Sequence, residues 1–282
     1  MAKRKKLQEL TIKDNFMFGA VMVNEDICKE LLELILGFSI EKITVDKEKS
    51  IVYHPVYKGV RLDITAADEN HTHYNIEMQV RRKRNLGRRN RYYHSQIDVE
   101  LLLSGLEYEA LPDSYVIFIC DFDPFGSEKY QYTFEPICKE DPSISLDDGN
   151  HTIFLSTKGK NRQEVPESLV RFLEYVESGH NVSTGDFQND FVNRLQKAVD
   201  DVVKSREMEG RYMQFREMLD DEKAEGKAEA IIDLLSDLGI VPDKLRERIL
   251  EERDLAILRF YLKKAAAAKS IAEFESLIDE KE

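Results

Sequence analysis

Two short stretches of the chain alternate apolar and polar residues. They are residues 59–65 and 74–80, and a period of two is typical of strands with one buried face. Residues 68–72 between them, Asp-Glu-Asn-His-Thr, have turn chemistry. The pattern therefore predicts a β-hairpin whose strands each carry one polar face.

The polar faces of this hairpin carry two acids. If the turn is centred on Asn70, a symmetric hairpin places Asp63 opposite Glu77, with Gln79 beside them. Like charges that face each other across a ladder repel, and a divalent cation between them removes that penalty. The spacing alone favours a plainer interpretation, in which both carboxylates are ordinary solvent-facing strand residues.

The remaining pattern predicts an α/β domain followed by helices. Asp14 is a candidate helix cap, and a second helix is expected to begin after Asp26 and to end at Gly37. The run at 115–121 is almost continuously apolar, which is typical of a central strand. Further predicted elements are strands at 43–46, 50–57 (an edge or bulge at His54-Pro55), 130–134 and 152–156, and helices at 88–110 and 167–177.

From about residue 186 the apolar positions recur at helical spacing, and residues 222–229 repeat charged and small residues with a four-residue rhythm. The last predicted helices are 243–251 and 255–278. The order of elements predicts an α/β domain at 1–180, with a mixed central sheet flanked by helices, and an all-helical C-terminal region at 181–282.

Composition narrows the class of protein. The chain has 282 residues, 34% of them charged, and it lacks an apolar run of the roughly 18–20 residues that a membrane span needs. Its three cysteines are far apart, which disfavours a disulfide scaffold or a cysteine zinc site. We expect a cytoplasmic protein with no membrane partner.

The charge of the chain is unevenly distributed. The net charge is −13, but residues 1–110 hold 18 Lys/Arg and 17 Asp/Glu, so the acidity belongs to the C-terminal part. Seven of the eleven residues at 81–91, directly after the Glu77 strand, are basic. Such a local patch can contact phosphates although the whole chain is acidic.

The hairpin resembles the PD-(D/E)xK nuclease motif, which has an Asp on one strand and Glu-x-Lys on the next. The resemblance is closest to the Rpn/YhgA-like branch of transposase-like proteins and recombination-promoting nucleases, in which Gln often takes the last position, as in Glu77-Met78-Gln79 here. The resemblance implies a restriction-endonuclease-like core. Other matching segments are residues 11–18, 91–96 and 116–122, and the Lys-Ala-Glu-Gly repeat near 225.

The resemblance implies a metal site and its ligands. Asp63, Glu77 and the backbone carbonyl of Met78 would bind Mg²⁺ or Mn²⁺, ions that prefer oxygen ligands. The ion would polarise a phosphate and lower the pKa of a bound water. Gln79 would position the water but brings no charge, unlike the commoner Lys. We hypothesise that Arg81 or Arg91 supplies this charge, and Gln79→Lys tests whether its restoration changes cleavage.

Several further residues are candidates for contacts to DNA or to the site. Tyr93, Gln96 and Asp14 could support the site, although core packing is the plainer role for Tyr93 and helix capping for Asp14. A solvated loop is the alternative for the basic run. The DNA-binding candidates are Arg81, Arg82, Lys83, Arg84, Arg88, Arg89 and Arg91.

The resemblance and the residues together predict a metal-dependent deoxyribonuclease that hydrolyses phosphodiester bonds in DNA, with a link to recombination or transposition implied by the family. The alternative is a nuclease fold that has lost turnover and serves as a DNA-binding or assembly module. The helical C-terminal region is predicted to form a homodimer, or to keep the basic groove closed to non-specific DNA.

Overall fold

A computed structural model describes residues 5–47, 50–51, 60–61, 63–102, 107–179 and 188–279. The chain divides into two compact units, Met1–Ser205 and Arg206–Glu282. Each unit buries its own apolar residues, so each is described by itself. The predicted strand at 50–57 is described only at Ser50–Ile51, and its His54-Pro55 step lies outside the described residues.

The first unit is built on a six-stranded mixed sheet with the strand order β1-β4-β5-β6-β8-β7. Strands β5, β6 and β8 are parallel, and the other neighbours pair antiparallel. A separate two-stranded ladder joins β2 and β3. The strands are β1 (Ile43–Lys47), β2 (Ser50–Ile51), β3 (Val60–Arg61), β4 (Ile64–Asp68), β5 (His73–Gln79), β6 (Ser114–Cys120), β7 (Gln131–Phe134) and β8 (Asn150–Ser156).

The apolar strand β6 lies at the centre of this sheet, between β5 and β8, as its sequence predicted. Its side chains are buried on both faces. Val116, Phe118 and Cys120 pack under helix α3 (Leu86–Leu101), whereas Ile117 and Ile119 point to the opposite face. The α/β, restriction-endonuclease-like fold expected from the sequence is confirmed.

The described part of the first unit also contains the α-helices α1 (Asn15–Met22), α2 (Glu25–Leu36), α4 (Glu167–Ser178) and α5 (Asp190–Lys204). Helix α2 ends at Gly37, which has a φ of 77°, as predicted. Its start differs from the prediction: Asn24 caps the helix by accepting from the N–H of Ile27 at 3.2 Å, and Asp26 lies inside the first turn.

Helix α5 belongs to the first unit, so the boundary between the units lies after Ser205 and not after residue 180. The physical reason is its apolar face, which packs against α1, α2 and α4. The ring of Phe191 lies 5.9 Å from that of Phe172 in α4, and Leu195 and Val199 are fully buried.

The second unit consists of helices α6 (Arg206–Ser236), α7 (Asp243–Glu251), α8 (Leu255–Ala265) and α9 (Ile271–Asp279). The single helix predicted at 255–278 is wrong, because helix α8 ends at Ala265 and a separate helix, α9, begins at Ile271. Ser270 accepts from the N–H of Glu273 at 3.2 Å, and Glu273 accepts from the N–H of Lys269 at 2.8 Å. These two hydrogen bonds satisfy backbone N–H groups at the start of a new helix.

Helix α3 is shorter than the predicted helix at 88–110, since it ends at Leu101. Among the helices in the described ranges, none is both long and apolar enough to cross a bilayer.

Candidate nuclease site

The hairpin of β4 and β5 has the register that a turn centred on Asn70 predicts. Ile64 pairs with Ile76, and Thr65 pairs with Asn75. The turn is held by Asp68, whose carboxylate accepts from the N–H groups of Asn70 and Thr72, both at 2.9 Å, and from the hydroxyl of Tyr74 at 2.7 Å. This closed turn fixes which residues meet at the other end of the hairpin.

Asp63 and Glu77 meet at that other end, where Asp63 directly precedes β4. The backbone N–H of Asp63 donates to Glu77 Oε1 at 3.3 Å. The N–H of Met78 donates to Asp63 Oδ2 at 3.1 Å. The N–H and C=O of a residue in an antiparallel ladder point to the same side. The carbonyl of Met78 therefore faces the side on which Asp63 lies.

The polar face of β5 is buried. Asn75, Glu77 and Gln79 are all less than a tenth exposed, and Glu77 is only 2% exposed. The half-buried strand expected from the alternation is thus wrong for β5, because α3 lies across this face and excludes water from it. Sequence alternation records side-chain polarity, and it does not show which polar face another element will cover.

Burial and the neighbouring carboxylate of Asp63 raise the pKa of Glu77 to about 8. The hydrogen bond from the N–H of Asp63 and the charge of Arg89 act in the opposite direction. Nearby, the amide oxygen of Asn75 is buried without a hydrogen-bond partner among the described residues, while its nitrogen donates to Glu77 Oε1 at 3.4 Å. The site is therefore rich in hydrogen-bond acceptors.

One arginine reaches the site from α3, and it is Arg89, not Arg81 or Arg91. Its Nη1 donates to Gln79 Oε1 at 3.0 Å, and its Nη2 lies 3.4 Å from Glu77 Oε2. The hydroxyl of Tyr93, one turn further along α3, accepts from Nε at 3.2 Å and also from Nη2. Arg89 was expected to contact DNA from the surface, but its guanidinium faces the acids.

The other basic residues of the segment remain outside the acid cluster. Arg82 donates to the carbonyl of Asp123 at 3.2 Å. All of these basic side chains are exposed, beside the end of β5 or on the outer surface of the first turns of α3: Arg81, Arg82, Lys83, Arg84, Arg88 and Arg91.

The three candidate supporting residues differ in position. Tyr93 is buried, stacks on Phe118 with ring centres 6.1 Å apart, and its hydroxyl contacts Arg89. Gln96 lies on α3 without a hydrogen bond to Glu77 or Gln79 within the described part of the chain. Asp14 precedes α1, but its carboxylate accepts from Thr11 and Lys5 and does not cap the helix.

Two residues that contact the acids were not predicted from the sequence to lie there. Asn15, the first residue of α1, lies with its Nδ2 3.4 Å from Asp63 Oδ1. Arg89 was noticed only as part of a basic run. A signal for Arg89 was present, since it shares the helical spacing of Leu86, Tyr93 and Ile97, the stripe of α3 that is buried on the sheet. Asn15 gave no such signal.

The donor set fits a hard divalent cation. Two carboxylates and the Met78 carbonyl lie on one side of the hairpin end, and a cation there would favour the ionised form of the buried Glu77. A cluster of three or more acidic, histidine or cysteine side chains is not found in the described ranges. Mg²⁺ suits such a site because it is commonly held by one or two carboxylates and keeps waters or phosphate oxygens as its other ligands.

Comparison with known proteins identifies the family of the chain. No curated protein and no solved structure matches the chain. A family model described as PD-(D/E)XK nuclease family transposase matches residues 15–229, which is most of the chain and includes Asp63, Glu77 and Gln79. The chain therefore belongs to the PD-(D/E)XK nuclease family of transposases.

Proposed function

We propose that this protein is a metal-dependent endonuclease that hydrolyses phosphodiester bonds in DNA. The observation that carries the proposal is the contact of Asp63 and Glu77 at the end of one hairpin, where two acids are held together in a site with little water. When bound, Mg²⁺ or Mn²⁺ would polarise the scissile phosphate and activate a water. Asp63, Glu77 and the carbonyl of Met78 would hold the ion.

The test compares isosteric variants in a plasmid-nicking assay with Mg²⁺ or Mn²⁺. Asp63→Asn and Glu77→Gln should each lower nicking at least about 100-fold, because each removes a negative ligand. Melting temperatures measured beside the nicking rates separate a loss of the fold from the loss of a metal ligand. Asp201→Asn and Glu109→Gln, both exposed, are the matched controls. Full nicking by either site variant would refute the proposal.

The exposed basic residues next to β5 would bind the DNA backbone. Arg84→Gln should weaken binding to DNA of any sequence and lower the salt dependence of the affinity by about one counterion, since it removes one phosphate contact. Lys160→Gln, a surface cation on another loop, should change neither quantity. An unchanged salt slope for Arg84→Gln would place the DNA elsewhere on the protein.

The assay also separates the alternative function. Salt-dependent binding of DNA by a protein that never nicks it, with either metal, would indicate a binding or assembly module. A link to strand transfer and a homodimer formed through the C-terminal helices remain predictions. Light scattering on the full chain at several concentrations tests the homodimer.

A further inference from the structure

Gln79 and Arg89 form a fixed pair inside the site. The guanidinium of Arg89 has only hydrogen-bond donors, so its contact at 3.0 Å identifies the Gln79 atom that it meets as the amide oxygen. The amide nitrogen of Gln79 then faces Glu77, with Nε2 3.5 Å from Glu77 Oε2. Arg89 thus determines that Gln79 presents a donor, and not an acceptor, to the acid pair.

The position of the Arg89 charge is also fixed. The side chain is 27% exposed, its guanidinium carbon lies 5.2 Å from the centre of the Tyr93 ring, and the Tyr93 hydroxyl accepts from two of its nitrogens. A guanidinium does not lose its proton in a protein. A permanent positive charge is therefore held within 3.4 Å of the Glu77 carboxylate.

A lysine at position 79 would bring both a donor and a positive charge to this place. We propose that this protein divides those two roles: Gln79 donates the hydrogen bond, and Arg89 supplies the charge and holds the Gln79 amide in its orientation. Arg89 is thus a positioning residue for the nuclease site, and this inference rests on the proposed function.

If the two roles are divided in this way, placing the motif's usual lysine at position 79 should lower the nicking rate and not raise it. In Gln79→Lys an ammonium would lie against the guanidinium of Arg89, and two like charges in a poorly solvated site repel. That variant should melt at a lower temperature and nick DNA at least about 10-fold more slowly than the wild type. The second change Arg89→Gln removes the repulsion and leaves the charge on residue 79.

The experiment uses six full-length proteins: wild type, Gln79→Lys, Arg89→Gln and the double variant, with Arg89→Lys and Arg246→Gln for comparison. Nicking is measured at saturating DNA, and melting temperature is measured in EDTA. Arg89→Gln alone should lose about 100-fold in rate, since it removes charge stabilisation from the site. The double variant should recover to within about 10-fold of wild type, and its melting temperature should exceed that of Gln79→Lys. Arg89→Lys should keep part of the rate, and the exposed Arg246→Gln should match wild type.

Two results would overturn the inference. One is a Gln79→Lys protein that melts and nicks like wild type while Arg89 is present. The other is a double variant that is no better than the single variants in both rate and melting temperature. If the wild type itself does not nick DNA, the proposed function and the catalytic role of the pair both fail. The EDTA melting temperatures still decide whether residues 79 and 89 are coupled.

Discussion

The hydroxyl of Tyr93 accepts two hydrogen bonds, and both come from the guanidinium of Arg89. In Tyr93→Phe the ring remains stacked on Phe118, but the buried side of the guanidinium loses its acceptor. We expect the free energy of unfolding to fall by about 1–3 kcal/mol, the cost of a lost hydrogen bond to a charged group. Urea denaturation measures the change.

Two controls make the Tyr93 prediction specific. Tyr108 is 80% exposed, so Tyr108→Phe should change stability by less than about 0.5 kcal/mol. In an Arg89→Gln background the effect of Tyr93→Phe should shrink, because the donor is already absent. A loss of the same size in both backgrounds would show that the hydroxyl acts independently of Arg89.

At the scale of residues, the sequence predicted the contact of Asp63 and Glu77, because strand alternation and the turn at Asn70 together specify a register. It did not predict that Glu77 is buried or that Arg89 pairs with Gln79. Both depend on the direction in which α3 returns across the sheet. The helical spacing of Arg89 with the buried residues of α3 indicates that it faces inward, but not which strand residues it meets. Because Arg89 stands among other basic residues, its inward orientation was also hard to distinguish from the sequence.

At the scale of elements, His94 joins α3 to two strands of the sheet. Its Nδ1 lies 2.8 Å from Ser114 Oγ in β6, and its Nε2 lies 3.2 Å from Thr152 Oγ1 in β8. Burial is the largest cause that lowers the pKa of His94, to about 4. The folded protein therefore holds this side chain neutral over a range in which the unfolded chain takes up a proton.

This difference gives a pH dependence with a definite sign. The contribution of His94 to stability is complete above about pH 6.5, and it is lost as the pH falls from there towards 4. As the pH falls from 7 to 5, we expect the loss of this contribution to lower the free energy of unfolding by about 2 kcal/mol. In His94→Gln that part of the slope should vanish, whereas His71→Asn, in the exposed turn, should retain it. Urea denaturation at both pH values measures the slopes, and equal slopes for wild type and His94→Gln would contradict the prediction.

The start of α2 gives a second prediction at this scale. Asn24→Ala should lower the free energy of unfolding by about 1 kcal/mol, because it removes the acceptor for the N–H of Ile27. Asp26→Ala should cost less, since that side chain is exposed inside the first turn and caps nothing. Thermal denaturation of the two variants ranks them, and the reverse order would restore Asp26 as the cap.

Elements with a strong signal in their own sequence were predicted well. Elements whose place depends on the helices or strands that they pack against were not. The apolar run of β6 and the glycine after α2 were sufficient to place the central strand and the end of that helix. The assignment of α5 to the first unit depends on which helices its apolar face contacts. The break before α9 has a signal in Ser270 and Glu273, but helical spacing on both sides hides it.

At the scale of the whole molecule, the two units have separate cores. Phe274 is fully buried among the helices of the second unit. Phe274→Ala should destabilise that unit by about 3–5 kcal/mol through the cavity that it leaves. Hydrogen exchange should then accelerate in α7, α8 and α9, while the amides of β5 and β6 keep their protection.

The control for this prediction is Ile240→Ala, since Ile240 is 95% exposed and its loss should leave exchange unchanged. If exchange in β5 and β6 accelerated together with that in the C-terminal helices, the two units would unfold as one. The separate cores would then not be separate cooperative units.

The acid pair lies within one local hairpin, whereas the parallel pairings of β5 with β6 and of β6 with β8 join segments that are distant in the chain. Hairpins close within about 1–10 μs, and pairings between distant segments form later. During folding we therefore expect Asp63 and Glu77 to meet before the rest of the sheet forms, while water still surrounds both carboxylates and weakens their repulsion. Helix α3, which follows directly in the chain, then brings Arg89 as it removes that water. With this order of elements along the chain, the two negative charges would not become buried before Arg89 is present to compensate them.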